Sequence, residues 1–551
     1  MKKSGVKNAL MILFFASIMA IGCKQVEVKQ KSTVEVKDGW YYLNGDKYFI
    51  KAIGYEIGAR PGQDPYKDTI SDLGRLRADV KILKDGGFNS IRTWSQLSEE
   101  QLQIVQESGL KIIFGIWLKP EEDYGDAEYM KRSEELVRSV VSYTKKYDCV
   151  ISYLILNEPM TDHIYKVGAK EMAYMLSTMK SILNTEHPGI PVGISGNAAT
   201  NDFMDMNLLD FYGYNCYDYN NGQVRTMGMG NFLSWCNELN KNQKPMIITE
   251  FGYSVSDMGW GMYGGNTMEE QKTGVIKNYR SILDAGAVGA CPFYYADGWW
   301  KGGKPAIHDD TPEEWFGYWG YSGLNDTVGT PRPVWHALVT YLKGLVVSPK
   351  NQEVYSNTIP VELFLDADVK YVTVKLHDSI LFNQEVKKQG FLSDAIHYTP
   401  KGMEDVELVF EFYDAAMNIL KTESIFALLS ESDVVLPKLS IVVDPADNLA
   451  GAKNCTMKMT LSDLGKFKIV SDLQYNFNFH LWWESGPEGK MAVPESKDQK
   501  DIVLVQSNVI PENCWVMVAS AGVTVKYGKF TKRIHDQKMV YRDNWFEGIG
   551  R

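Results

Sequence analysis

Histidine is scarce in this chain, 8 among 551 residues, and cysteine is scarcer at 7. None falls into a Cys-x-x-Cys or His-Glu-x-x-His spacing, so no metal is expected on the usual zinc pattern, and no cofactor either. A Gly-x-Gly-x-x-Gly turn is missing after the first apolar run, where "GYEIGARPG" stands instead. That argues against an open, doubly wound nucleotide-binding sheet. Positive charge is short too. A net charge of -11 opposes the basic face that phosphates require, so no nucleic-acid partner is expected. Long hydrophobic runs are also lacking. The run at 9–21 follows Lys2, Lys3 and Lys7 and is short for a transmembrane helix.

That N-terminal run ends in Ala20-Ile21-Gly22-Cys23. Small residues before a cysteine resemble a bacterial lipoprotein signal, in which the cysteine is acylated; an ordinary signal peptide with an incidental cysteine is the alternative. Either exports the protein. The expectation is a signal at 1–22, a polar tether at 23–38, and a lipid anchor at Cys23 holding the chain to a membrane of the bacterial cell envelope.

Aromatic residues, by contrast, are plentiful, with 14 Trp and 31 Tyr. Flat ring faces suit carbohydrate, although large cores use them too. Short continuous apolar runs recur through residues 39–347: "YFIKAIGY" (48–55), "FNSIRTW" (88–94), "LKIIFGIWL" (110–118) and "VISYLILNE" (150–158), then "IPVGISG" (190–196), "LDFYGYNCY" (209–217), "PMIITEFG" (245–252) and "VGACPFYY" (288–295). Continuous rather than alternating runs predict buried parallel strands. Helical stripes fit between most of them, such as Leu73, Leu76, Val80 and Leu83 ahead of Gly86-Gly87, and Ser98 and the Thr267/Glu270 capping box open two more helices. Eight strands with intervening helices predict a (β/α)8 TIM barrel.

After Ser348 the period changes to alternation, as in Val361, Leu363 and Leu365. The fold class is therefore α/β: a barrel followed by two β-sandwich (Ig-like) modules, at 348–432 and 433–551. Cys149, Cys216, Cys236 and Cys291 read as buried hydrophobes, while Cys455 and Cys514 could pair, which spacing cannot decide.

Barrel chemistry sits at the C-terminal ends of the strands. There the sequence places Arg92 and Trp94, Trp117, Asn157-Glu158, Asn215 and Tyr217, Glu250, and an aromatic group with Trp299 and Trp300. The stretch "ISYLILNEP" (151–159) drives a core strand onto an acid, with 151–156 expected to fill the barrel interior. Two carboxylates on separate strands, ringed by aromatics, suit cleavage of a glycosidic bond: one protonates the bridging oxygen and the other attacks the anomeric carbon. A separation of about 5–5.5 Å would retain configuration and about 6.5–9.5 Å would invert it.

"LNEP" and "ITEFG" resemble the acid/base and nucleophile motifs of clan A of the retaining glycoside hydrolases. The resemblance implies Glu158 as acid/base, Glu250 as nucleophile, Asn157 on the sugar 2-hydroxyl, Arg92 holding the nucleophile ionised, Tyr217 hydrogen-bonding it, and a stacking platform at Trp299 or Trp300. "PEEWFG" and "PRPVWHAL" are similar to the family 2 barrel, and "FIKAIGY" to the fungal β-1,3-glucanosyltransferases. In family 2 the sandwiches precede the barrel, whereas here they follow it. A histidine common in family 5 is absent, so sugar specificity does not carry over.

The expected activity is a retaining β-glycoside hydrolase acting on a β-linked glucan or related oligosaccharide. A transglycosylase with the same glutamates, or a non-catalytic carbohydrate-binding lipoprotein, are the alternatives. Glu56 can meet sugar hydroxyls or pair with Arg60. His308-Asp309-Asp310 before Thr311-Pro312 reads as a capped loop rather than a metal site, and Trp482-Trp483 as a strand pair or a sugar-stacking face.

Overall fold

Continuous apolar runs make continuous buried strands, and these close into a barrel. The computed structural model describes residues 32–56, 59–67, 72–120, 122–159, 169–197, 208–238, 244–377, 379–479, 486–494, 501–512, 514 and 516–542. The parallel strands are, in chain order, Ile50–Lys51, Ser90–Arg92, Lys111–Gly115, Val150–Asn157, Val192–Asn197, Tyr212–Asn215, Met246–Phe251 and Gly289–Pro292. From the second onward each pairs in parallel with the next, and the eighth pairs with the first. Closure between first and second runs past the short first strand, through a bridge from Gly54 to Arg92 and the bond from Tyr55 N to Arg92 O at 2.9 Å.

Helices cover the outside as the stripes predict. Leu73–Asp85 buries Leu76, Val80 and Leu83. Glu99–Ser108 and Met268–Asp284 open on complete capping boxes, from Ser98 with Gln101 and Thr267 with Glu270, each satisfying two otherwise orphaned N–H groups.

Two expectations change. The alternating residues Val34–Lys37 form a strand, not a tether, paired with Trp40–Leu43 across Asp38-Gly39; both turn residues have positive φ (51° and 73°), which an Asp-Gly hairpin turn tolerates. This hairpin inserts Tyr41 against the barrel's own interior cluster, its hydroxyl 3.0 Å from Ser152 Oγ. Nor does 151–156 fill the interior as a block. Ile151 and Leu154 join that cluster, while Tyr153, Ile155 and Leu156 belong to the larger one, where the Tyr153 hydroxyl lies 2.6 Å from Thr144 Oγ1 of the covering helix.

The β-rich remainder begins at Gly344, slightly ahead of the change in period. Gly344–Ser348, Thr358–Leu365 and Gly390–His397 form one sheet, and a five-stranded sheet including Glu404–Tyr413 and Ile419–Leu429 faces it across an apolar core. A second pair of sheets follows, one with Lys438–Asp444, Asn454–Ser462 and Ile502–Val509, the other built on Val516–Tyr527 and Phe530–Tyr541. Cys455 and Cys514, whose pairing was open, are both buried free thiols. Trp482 and Trp483 lie outside the described residues.

Residues Thr33–Arg551 make one compact unit, and polar contacts tie its parts together. Glu423 of the first sandwich accepts from Arg280 (3.2 Å), Tyr341 (2.9 Å) and Lys421 (2.8 Å), all buried or nearly so. The second β segment docks on helix Gly222–Met227, where Thr226 Oγ1 lies 2.8 Å from Ser520 Oγ and Gln223 donates to Gln537 at 2.8 Å. Glu423→Ala should leave Lys421 buried without a carboxylate partner, while Arg280 keeps Asp284 at 2.8 Å, and cost about 3–5 kcal/mol; denaturant unfolding followed by circular dichroism checks this, and an unchanged midpoint would refute it.

Candidate active site

A cleft of ≈ 410 Å³ lies at the C-terminal ends of the strands. Glu158 and Glu250 both line it, with Asn157, Trp94, Tyr217, Trp117, Trp300 and Glu56. The fourth and seventh strands therefore deliver the two glutamates to one space.

Arg92, 1% exposed, organises the floor. Its Nη1 donates to Glu250 Oε1 at 2.7 Å, and its Nη2 to Asn157 Oδ1 at 2.6 Å and Ser195 Oγ at 3.2 Å. The guanidinium also lies 3.7 Å from the Trp94 ring centre, and Trp94 Nε1 donates to the same Glu250 Oε1 at 2.9 Å. Gly54 permits that placement: a Cβ there would meet the Trp94 ring at 2.6 Å. Tyr217 OH donates to the other oxygen, Oε2, at 3.3 Å.

Glu158 is held differently. Its φ of 47° is in the left-handed region, a costly conformation for a residue with a side chain, and it ends the strand ahead of Pro159. The backbone N–H is anchored on Ser195 O at 2.6 Å. Asn215 Nδ2 donates to Glu158 Oε1 at 2.7 Å. Burial, and then the negative charge of Glu250, raise the Glu158 pKa well above the ordinary carboxylate range, against the Asn215 bond and the more distant Arg92. The two carboxylates are thus set apart: one lies on an arginine, the other in an environment that favours its protonated form.

Sequence reasoning overlooked the parts that orient these groups. Ser195 Oγ and Thr249 Oγ1 donate to Asn215 Oδ1 at 2.7 and 2.8 Å. With its carbonyl taken, Asn215 must turn its N–H2 toward Glu158. Asn157 Oδ1 is likewise taken by Arg92, which leaves its N–H2 for the cleft. Ser195 and Thr249 are small neutral residues inside apolar runs, with no signal of their own; Asn215, at a strand end, had one. Tyr66, Tyr219, Phe293, Lys301, Glu313 and Phe316 complete the lining.

Other expectations resolve individually. Trp300 reaches the cleft beside Tyr66 (5.2 Å) and Tyr66 beside Trp117 (5.6 Å). Trp299 does not: it stacks on His308 at 4.7 Å, which stacks on Trp315 at 3.8 Å. Adjacent residues in a 3-10 turn point apart, so only one of the pair lines the cleft. His308 is consumed in that stack, and burial pushes its pKa down to about 4. Pro312 opens the turn Pro312–Trp315 behind it. Glu56 does not pair with Arg60, because the fully buried Asp79 takes Arg60 together with Arg75, Tyr55 and Tyr295. It faces the cleft instead, accepting from Tyr66 (3.0 Å) and Ser95 (3.1 Å), its pKa pushed up to about 7 by burial.

The sequence model of the glucanosyltransferase family, a glycoside hydrolase family, matches residues 23–259. The 1,3-beta-glucanosyltransferase GAS5 of Saccharomyces cerevisiae is 24% identical over 241 residues, 40% of this chain and 47% of that protein. Protein EPD1 of Candida maltosa is 24% identical over 255 residues, 40% of this chain and 46% of its own length. The chain thus spans about half the length of the curated relatives it matches. A solved beta-glucuronidase of Bacteroides uniformis aligns with TM-score 0.46 and 12% identity, over 93% of this chain and 67% of that one. The expected bacterial lipid anchor is corrected by these findings: GAS5 and EPD1 are fungal proteins, and Cys23 lies outside the described residues. Over residues 23–259, this chain is similar to the glucanosyltransferase family.

Removing the Asn215 donor takes away a bond that favours ionised Glu158, so Asn215→Ala should raise the Glu158 pKa further, by about one pH unit. Carbon-13 NMR titration of the glutamate carboxyls, with Glu158→Gln for assignment, reads this directly. A Glu158 that titrates in the ordinary range would contradict the account.

Proposed function

We propose that the chain is a β-glucan-active, retaining glycoside-processing enzyme that transfers glucan segments, a β-1,3-glucanosyltransferase. The observation that carries it is the cleft itself, where a nucleophile-like Glu250 seated on Arg92, Trp94 and Tyr217 faces a raised-pKa Glu158. The match of residues 23–259 to the glucanosyltransferase family supports the same reading, and favours transfer over the simple hydrolysis expected first. The basic and then apolar N-terminus supports export as part of it.

Glu250 Oε1 is occupied by two donors, so Oε2, with its single longer bond from Tyr217, attacks the anomeric carbon. The bond from that carbon to the bridging oxygen breaks. Glu158 Oε1 accepts from Asn215, so its proton rides on Oε2 and passes to the departing oxygen. Asn157 offers its N–H2 to a hydroxyl of the sugar at the reacting centre. In the second step, an incoming glucan hydroxyl gives its proton to Glu158 and attacks the anomeric carbon, and the bond to Glu250 breaks. Two inversions give net retention. Aromatic walls of Tyr66, Trp117 and Trp300 on one side, and Tyr219 and Phe316 on the other, favour a sugar over water at that moment.

A single β-1,3-linked oligosaccharide of defined length should give products longer as well as shorter than itself. Products that are only shorter would mean hydrolysis, with the same glutamates and water as acceptor. Glu250→Gln should lose activity at least a thousandfold, as removal of a covalent nucleophile does. Full activity in that variant would sink the mechanism.

A further inference from the structure

The aromatic lining does not stop at the cleft. Tyr217 packs on Tyr219 at 5.6 Å, and Tyr219 stacks on Tyr263 at 4.4 Å and 30°. Tyr263 ends a short 3-10 turn, Gly261–Tyr263, and its N–H returns to Trp260 O at 3.1 Å. Trp260 itself is 54% exposed, which is unusual for an indole. Arg225 sits beside it, with its guanidinium 5.2 Å from the ring centre. The same guanidinium bonds the backbone carbonyls of Asp218 and Tyr219 on the cleft side and Glu488 Oε2, at 2.7 Å, on the second β segment.

We propose that Trp260 is the stacking platform of a distal glucan subsite, reached along Tyr219 and Tyr263 from the catalytic cleft and bordered by Arg225 and Glu488. This rests on the β-glucan reading above and extends it to long chains. Three features point to a sugar occupant. The ring series from Tyr217 through Tyr219 to Tyr263 is continuous with the cleft wall, and Trp260 caps the turn that carries Tyr263. An exposed indole braced by a guanidinium offers its open face to the C–H face of a pyranose. Glu488, 45% exposed, supplies a carboxylate that can accept from sugar hydroxyls at the platform's edge. The second β segment thereby contributes a group to substrate binding, which gives its docking on helix Gly222–Met227 a functional consequence.

The test is binding to the full chain in a Glu250→Gln background, by calorimetry, with β-1,3-linked gluco-oligosaccharides of increasing length. Trp260→Ala should weaken the longest chains roughly tenfold and leave the shortest unaffected, and Trp260→Phe should restore most of the loss. Equal affinity at every length with and without Trp260 would overturn the subsite while leaving the functional reading intact. Equal loss at every length would also overturn it, because Trp260 would then only support the Tyr263 turn. If the Glu250→Gln protein binds no chain of any length, the functional reading falls and the subsite with it.

Discussion

Everything in the cleft refers back to the buried guanidinium of Arg92. A cation at 1% exposure is tolerable only when well-placed acceptors meet it, and here they meet its two terminal nitrogens. Those acceptors come from the seventh strand (Glu250), the fourth (Asn157) and the fifth (Ser195), with the Trp94 ring beneath. One planar fork therefore fixes three strand ends at once. A lysine would supply the charge without the geometry, so the arginine is as much a ruler as a counter-ion.

The fork also explains why two glutamates in one cleft do not behave alike. Glu250 lies against the cation and two further donors. Glu158 is buried with a neutral amide as its partner and an anion opposite. The amide's orientation is decided behind it, by the Ser195 and Thr249 hydroxyls, and Ser195 touches Arg92 as well. A glutamate seated on a cation and a glutamate with a raised pKa are thus two outcomes of a single connected network. The left-handed backbone at Glu158 belongs to the same arrangement: the strand must break there for the acid to turn into the cleft while its N–H stays on Ser195.

Much of this was legible from the chain alone, for a physical reason. Strands of a buried parallel sheet are continuous apolar runs, and a charge ending such a run is conspicuous. That is why Glu158, Glu250 and Arg92 could be read, and why the barrel could be counted from its eight runs. What stayed hidden was whatever depends on side-chain direction. Trp299 and Trp300 are neighbours in sequence, and only the fold sends one into a stack with His308 and the other into the cleft. Glu56 could not be assigned between two partners until Asp79 was seen to hold Arg60. The strand at Val34–Lys37 was lost because a short alternating stretch beside a polar tail has little signal.

The C-terminal β segments raise a different question, since a barrel with its own closed core has no obvious need of them. Their attachment points are informative. The first is tied by charges around Glu423, beside the last barrel helix. The second grips helix Gly222–Met227, which follows directly after the sixth strand and the loop bearing Tyr217 and Tyr219. A loop that positions one of Glu250's hydrogen-bond donors is thereby braced from outside the barrel, through Thr226, Gln223 and Arg225. Loops at barrel mouths are the freest parts of such folds, and the cleft gains rigidity from having one wall clamped. The second β segment is best understood as part of the cleft's construction, built from sequence more than two hundred residues downstream of the loop it stiffens.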